Sequence, residues 1–251
     1  MHRFAFLLAA LVYLPAWALE VVRVGGYEFP PYVEIENQQA AGATLRLLDE
    51  LNQLQDRYRF QFELTSPRRR YDDFTSGRID VMFFESPEWG WSSRGIPLNS
   101  TREFLRDSEV FVALAEGGRD ERYFASLKGR SIAGIYGYHY AFAGYNDDPK
   151  KLEQEFGMSL VYSNFASIQL VLTGRADLAI VTRSYLNRFM RDNPDAAARL
   201  LVSKRIDQVY SLRALVSEKS PIRVEEIESL LGKLRQRGTL DKLWRSAGIV
   251  P

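Results

Sequence analysis

Two nine-residue stretches decide how this chain is read: SGRIDVMFF (Ser76–Phe84) and TGRADLAIV (Thr173–Val181). Each has a hydroxyl residue, then Gly-Arg-x-Asp, then a run of apolar residues. The Gly supplies a left-handed helix C-cap, and the Asp opens a strand. A strand covered on both faces in a parallel sheet is apolar without interruption, and both stretches fit that rule. The pair reads as an internal structural repeat: helix end, Gly turn, buried strand. Two unrelated turns built from common turn chemistry are the alternative.

The flanks extend the match. Before the first stretch, LEVVRVGGY (19–27) predicts a buried strand ending at Gly25-Gly26, and the two prolines of EFPPYVEIEN (28–37) predict a rigid extended loop presenting Phe29 and Tyr32. AGATLRLLDELNQLQ (41–55) predicts a helix carrying Leu45, Leu48 and Leu51 at helical spacing; YRFQFEL (58–64) alternates as a strand, and RRRYDDFTSGR (68–78) predicts a short helix closed by Gly77. The second half repeats the rhythm: strand RSIAGIYGY (130–138), helix DPKKLEQEFG (148–157), strand LVYSN (160–164), helix FASIQLVLTGR (165–175), then strand ADLAIV (176–181). A helix, SYLNRFMRDNP (184–194), two strands, LLVSKRI (200–206) and YSLRALVSE (210–218), and one or two amphipathic helices over 224–248 complete the chain. Alternation of this kind argues for parallel sheets with helices on their faces.

The 251 residues include 33 basic and 32 acidic side chains and no Cys. MHRFAFLLAALVYLPAWA has a basic start, an apolar stretch and an Ala-x-Ala end at Ala16–Ala18, the pattern of a signal peptide cut after Ala18. A near-neutral exported chain has no electrostatic reason to bind nucleic acid. Without Cys there is no disulfide framework or thiolate metal site, and with only His2 and His139 no His-based metal site is expected.

YEFPPYVE (27–34), DDFTSGRIDVMF (72–83), FASLKGRSIAGIYGY (124–138), IQLVLTGRADLAIV (168–181) and LGKLRQRGTLDKLWRSAG (231–248), in this order and spacing, resemble the bacterial extracellular solute-binding proteins that serve polar amino-acid importers. The resemblance covers essentially the whole chain after residue 18. It implies a two-lobed α/β fold of the type II periplasmic-binding-protein kind: two hinge strands, and a ligand cleft between the lobes. Lobe 1 is expected at 19–112 plus 214–251 and lobe 2 at 113–213, with EVFVALA (109–115) and YSLRALV (210–216) as the hinges. The implied role is a monomeric periplasmic protein without cofactor, handing a small polar solute (an amino acid, or an amino-acid-like or amine compound) to the permease of an ABC importer. The alternatives are a sensory module docking on a membrane receptor or cyclase and, further off, a periplasmic dehydratase.

The chain departs from that family at the ligand. Its members clamp the ligand carboxylate with a lobe 1 Arg a few residues past the repeated strand; here only Arg94 stands in that segment, and it comes late. They hold the ammonium with an Asp five residues past the lobe 2 strand's first Asp; here that position is Thr182, followed by Arg183. Either the amine is held elsewhere, with Glu85 and Asp207 as candidates, or the ligand is not an ordinary α-amino acid.

The lobe 1 candidates for ligand contact are Tyr27, Phe29, Tyr32, Glu85, Trp89, Trp91 and Arg94, because aromatic faces suit rings, alkyl chains and cations. Packing of the loop is the structural alternative for the Trp pair, and a surface position is the alternative for Glu85. In lobe 2 the resemblance implies a carboxylate-binding turn at GIYGYHYAF (134–142), where Tyr138 and His139 are the candidates. Asp207 and Tyr210 enter the second hinge. Arg68–Arg70 reads as a solvated helix start, with Arg70 the one able to turn inward.

Overall fold

The computed structural model describes residues 19–249; the signal-peptide expectation lies outside them. Strand β1 (Glu20–Gly26) runs into a loop and a small hairpin, β2 (Glu34–Glu36) with β3 (Gln39–Ala41), so the segment expected to be one extended loop folds back on itself. Helix α1 (Ala43–Leu54) buries Thr44, Leu47, Leu48 and Leu51, which places Leu47 and not Leu45 on the core face. Strand β4 (Tyr58–Leu64), helix α2 (Arg70–Thr75) and strand β5 (Val81–Glu85) follow. The short β6 (Leu98–Ser100) and the long β7 (Leu105–Leu114) then lead out of this half.

The second half opens with β8 (Ile132–Ile135), α3 (Pro149–Phe156), β9 (Met158–Val161), α4 (Asn164–Leu172) and β10 (Leu178–Thr182). Helix α5 (Arg183–Asp192) and one turn, α6 (Pro194–Ala197), precede β11 (Leu200–Ser217). The two strands expected at 200–206 and 210–218 are one strand of 18 residues with register shifts near Ile206. Helices α7 (Val224–Gln236) and α8 (Thr239–Ser246) end the described chain, separated by Gly238 in the left-handed region.

The strand order is β4-β1-β5-β11-β7-β10-β8-β9, with β6 on β11. Within each half the three strands of the repeat pair in parallel with the first strand central: β4-β1-β5 on one side, β9-β8-β10 on the other. The repeated stretches therefore occupy one topological place, the third strand of each unit. Gly77 (φ 80°) and Gly174 (φ 68°) turn the chain between helix and strand, both in open space. Their aspartates do equivalent work. Asp80 accepts from Arg23 N and Nε, both at 2.8 Å, and so ties β5 to the central strand β1. Asp177 accepts from Ser131 N and Oγ, also at 2.8 Å, and so ties β10 to the start of β8.

The antiparallel strands β7 and β11 join the halves. They pair with each other from Leu200↔Leu114 to Leu212↔Leu105, while β11 also pairs with β5 and β7 with β10. A pair of strands shared by two α/β units is the geometry of a hinge.

Candidate functional site

The C-terminal ends of β1, β5 and β8 and the middle of the β7–β11 pair converge on one cleft, the position at which open α/β sheets take ligands. The rings come from loops at those ends. Phe29 lies edge-on to Trp89 (5.6 Å between centroids) and Tyr138 (5.6 Å), and Trp89 is edge-on to Tyr210 (4.8 Å). With Tyr27, Arg70, Glu109, His139 and Gln208 they enclose a cavity of ≈ 10 Å³, room for about one water. A larger concavity of ≈ 830 Å³, near Leu127 and Phe156, lies outside the cleft and is lined by none of the buried polar side chains.

Glu109 is the one carboxylate in the lining of this cavity. It stands on β7 between Gln208 of β11 and Thr182 of β10, and it is 1% exposed. Gln208 Nε2 donates to its Oε2 at 2.6 Å, Trp89 Nε1 donates to Gln208 Oε1 at 3.0 Å, and the Tyr210 hydroxyl also bonds the carboxyl. Burial pushes the Glu109 pKa up to about 8, and these hydrogen bonds offset that only in part. Among the described residues no ion pair reaches it.

Arg70 also lines the cavity: Arg68 and Arg69 are exposed as a solvated helix start would have them, while Arg70, the one able to turn inward, is 1% exposed. Its guanidinium lies over Tyr27 (4.9 Å) and Tyr71 (4.4 Å), donates to the carbonyls of Pro67 and Trp89, and stands 3.4 Å from Glu85 Oε1. Glu85 is accordingly no surface acid. Burial raises its pKa, the Arg70 charge lowers it, and Trp91 Nε1 donates to its Oε2 at 2.8 Å.

Of the residues singled out in the sequence, Tyr27, Phe29, Arg70, Trp89, Tyr138, His139 and Tyr210 meet at the cavity. Glu85 and Trp91 lie behind Arg70. Tyr32 donates to Asp107 on β7 at 2.7 Å, and Ser184 of α5 reaches the same carboxylate at 2.5 Å. Arg94 lies on the rim, paired with Asp147 across the cleft at 2.7 Å; His139 is 3.7 Å from that Asp147, and burial holds its pKa well below the usual value. Thr182 is fully buried beside Glu109 on the neighbouring strand, and Arg183 is half-buried and turned to the carbonyl of Ser203. Asp207 faces the turn at 141–143, accepting from Ala141 N at 2.8 Å and Phe142 N at 3.0 Å. The sequence reading missed Glu109 and Gln208; the signal available was an acid in an otherwise apolar strand, EVFVAL.

The halves also touch outside the cavity. Arg188 of α5 forms a two-pronged pair with Glu34, Arg68 donates to the Tyr136 hydroxyl at 2.9 Å, and the Tyr138 hydroxyl donates to the Glu28 carbonyl at 3.2 Å.

The chain has the two-lobed fold of the periplasmic binding proteins. Three solved structures carry that statement. An ancestral arginine-binding protein bound to arginine aligns with a TM-score of 0.66 at 18% identity, over 90% of this chain and 97% of that one. The probable amino-acid ABC transporter extracellular-binding protein ytmK from Bacillus subtilis gives 0.66 at 16% identity, over 90% and 97%. A histidine kinase sensor domain with similarity to periplasmic binding proteins gives 0.67 at 18% identity, over 90% and 95%. No protein-family model matches the chain, and no curated protein matches it in sequence.

Proposed function

We propose that this protein is a periplasmic solute-binding protein: the cleft takes up a small polar solute, the lobes close over it, and the closed form delivers it to an ABC importer. The lobes in this reading are 19–112 plus 214–251 and 113–213, moving about β7 and β11. One observation carries the proposal. Two repeated α/β units aim the C-terminal ends of their strands at a shared cleft lined by rings, a buried carboxylate and amide groups, and only a pair of strands connects them. Such a site can bind and enclose a small solute.

A ligand that favours the closed form stabilises it by mass action. In a thermal-shift screen of amino acids, amines and small carboxylates, at least one class is expected to raise the melting temperature by several degrees. Loss of the gene should then reduce uptake of that solute by cells. If nothing in the screen moves the melting temperature, the binding reading fails. The likeness to the histidine kinase sensor domain favours a second reading, a sensory module using the same clamp. In that case uptake is unchanged by the deletion, while the cell's response to the solute is lost.

A further inference from the structure

The anion-binding groups around the cleft are taken, and one acid is left over. Three groups suited to hold an anion each already hold one of the chain's own carboxylates. Arg70 pairs with Glu85 at 3.4 Å, Arg94 pairs with Asp147 at 2.7 Å, and the N–H groups of Ala141 and Phe142 bind Asp207 at 2.8 and 3.0 Å. The cavity wall retains Glu109, whose partners Gln208 and Tyr210 are neutral. In the cavity lining a solute carboxylate would therefore meet another acid, and the one cation there, Arg70, is already paired with Glu85. A solute cation would meet a buried carboxyl that becomes its counter-charge on giving up a proton, and ring faces, which attract cations electrostatically.

We infer that the solute taken by this cleft is an organic ammonium that carries no carboxylate, with Glu109 as its counter-ion and Phe29, Trp89, Tyr138 and Tyr210 as the rings around it. The inference rests on the binding reading above and narrows it. The same rings close the cavity to ≈ 10 Å³, so the solute reaches Glu109 only when the lobes part. With its pKa raised by burial, Glu109 keeps its proton in the closed cleft at neutral pH and releases it to solvent when a cation takes its place.

The test compares solutes that differ by a single carboxylate: agmatine with L-arginine, cadaverine with L-lysine, ethanolamine with L-serine, and choline alone. Affinities are read by titration calorimetry on the wild-type protein and on Glu109→Gln, an isosteric change. At least one amine is expected to bind about tenfold or more tightly than its amino acid. Glu109→Gln is expected to weaken that amine by about 30-fold or more, as when one partner of a buried charge pair is removed. Tighter binding of the amino acids, or an amine affinity untouched by Glu109→Gln, overturns the inference and leaves the binding reading standing. Binding of none of these compounds, nor of any solute in the wider screen, overturns both. The pairwise ranking needs no variant, so it decides the matter even if Glu109→Gln does not fold.

Discussion

At the scale of single residues, the cleft is dominated by buried charge. Arg70 and Glu85 are each 1% exposed and neutralise one another, and three rings surround the guanidinium. Removing one partner of a buried pair leaves the other without compensation, at about 3–5 kcal/mol. Arg70→Met should therefore destabilise the fold strongly in urea unfolding, while the double change Arg70→Met with Glu85→Gln should recover most of the loss. Simple additivity of the two single changes would show that the pair does not act as a unit. The sequence could not reveal this pairing. Arg70 stands in a run of three arginines, and only Arg70 is turned inward, because α2 rotates it toward the cleft while Arg68 and Arg69 face solvent.

At the scale of elements, the repeated stretches are scaffold. In both, the glycine turns a helix into a strand and the aspartate anchors that strand to the central one. A Cβ at Gly77 or Gly174 would meet nothing within 4 Å, so any penalty there is conformational and not steric. Gly77→Ala and Gly174→Ala should each cost about 1 kcal/mol, the usual price of a side chain in left-handed backbone. Chemical denaturation measures it, and unchanged midpoints in both variants would remove the C-cap explanation. These elements were legible because their signals are local: a Gly stop, a helical spacing, an unbroken apolar run. The exceptions were the places where pairing partners decide. The hairpin β2–β3 turns at Asn37-Gln38, beyond the proline loop, and β11 continues without a break through Asp207–Val209, between the two strands expected there, because β7 runs alongside to bond it.

At the scale of the whole molecule, the closed cleft is latched at its edges. Arg94 and Asp147 bridge one side, Arg188 and Glu34 the other, and Asp107 holds Tyr32 and Ser184 at the hinge. Each edge pair is partly solvated and contributes about 1 kcal/mol or less. If the lobes open and close as proposed, these pairs together favour the closed form. The double variant Arg94→Ala with Arg188→Ala should shift the population toward open molecules. Small-angle X-ray scattering would detect this as a rise above the radius of gyration of about 18 Å expected for a compact chain of this length. Arg106→Ala, which breaks a pair within one lobe, is the control and should leave the radius unchanged.

What the sequence determined by itself was the architecture: two copies of one β-α-β-α-β unit, an unbroken apolar run opening the last strand of each, and rings gathered in the loops beyond them. Local periodicity and turn chemistry suffice for that, since they act within a few residues. The two stretches at 76–84 and 173–181 were enough to mark the repeat and to point at the residues beyond each strand. The charge state of the site was decided only by tertiary structure. Arg94, Arg70 and Asp207 could each have faced a ligand on sequence grounds, but partners 53, 15 and 66 positions away along the chain hold them. Glu109 is separated from Gln208 by 99 positions, and only the pairing of the hinge strands makes it the buried acid of the cleft. Electrostatics at close range depends on which groups the fold brings within a few ångströms, and no spacing in the sequence records that.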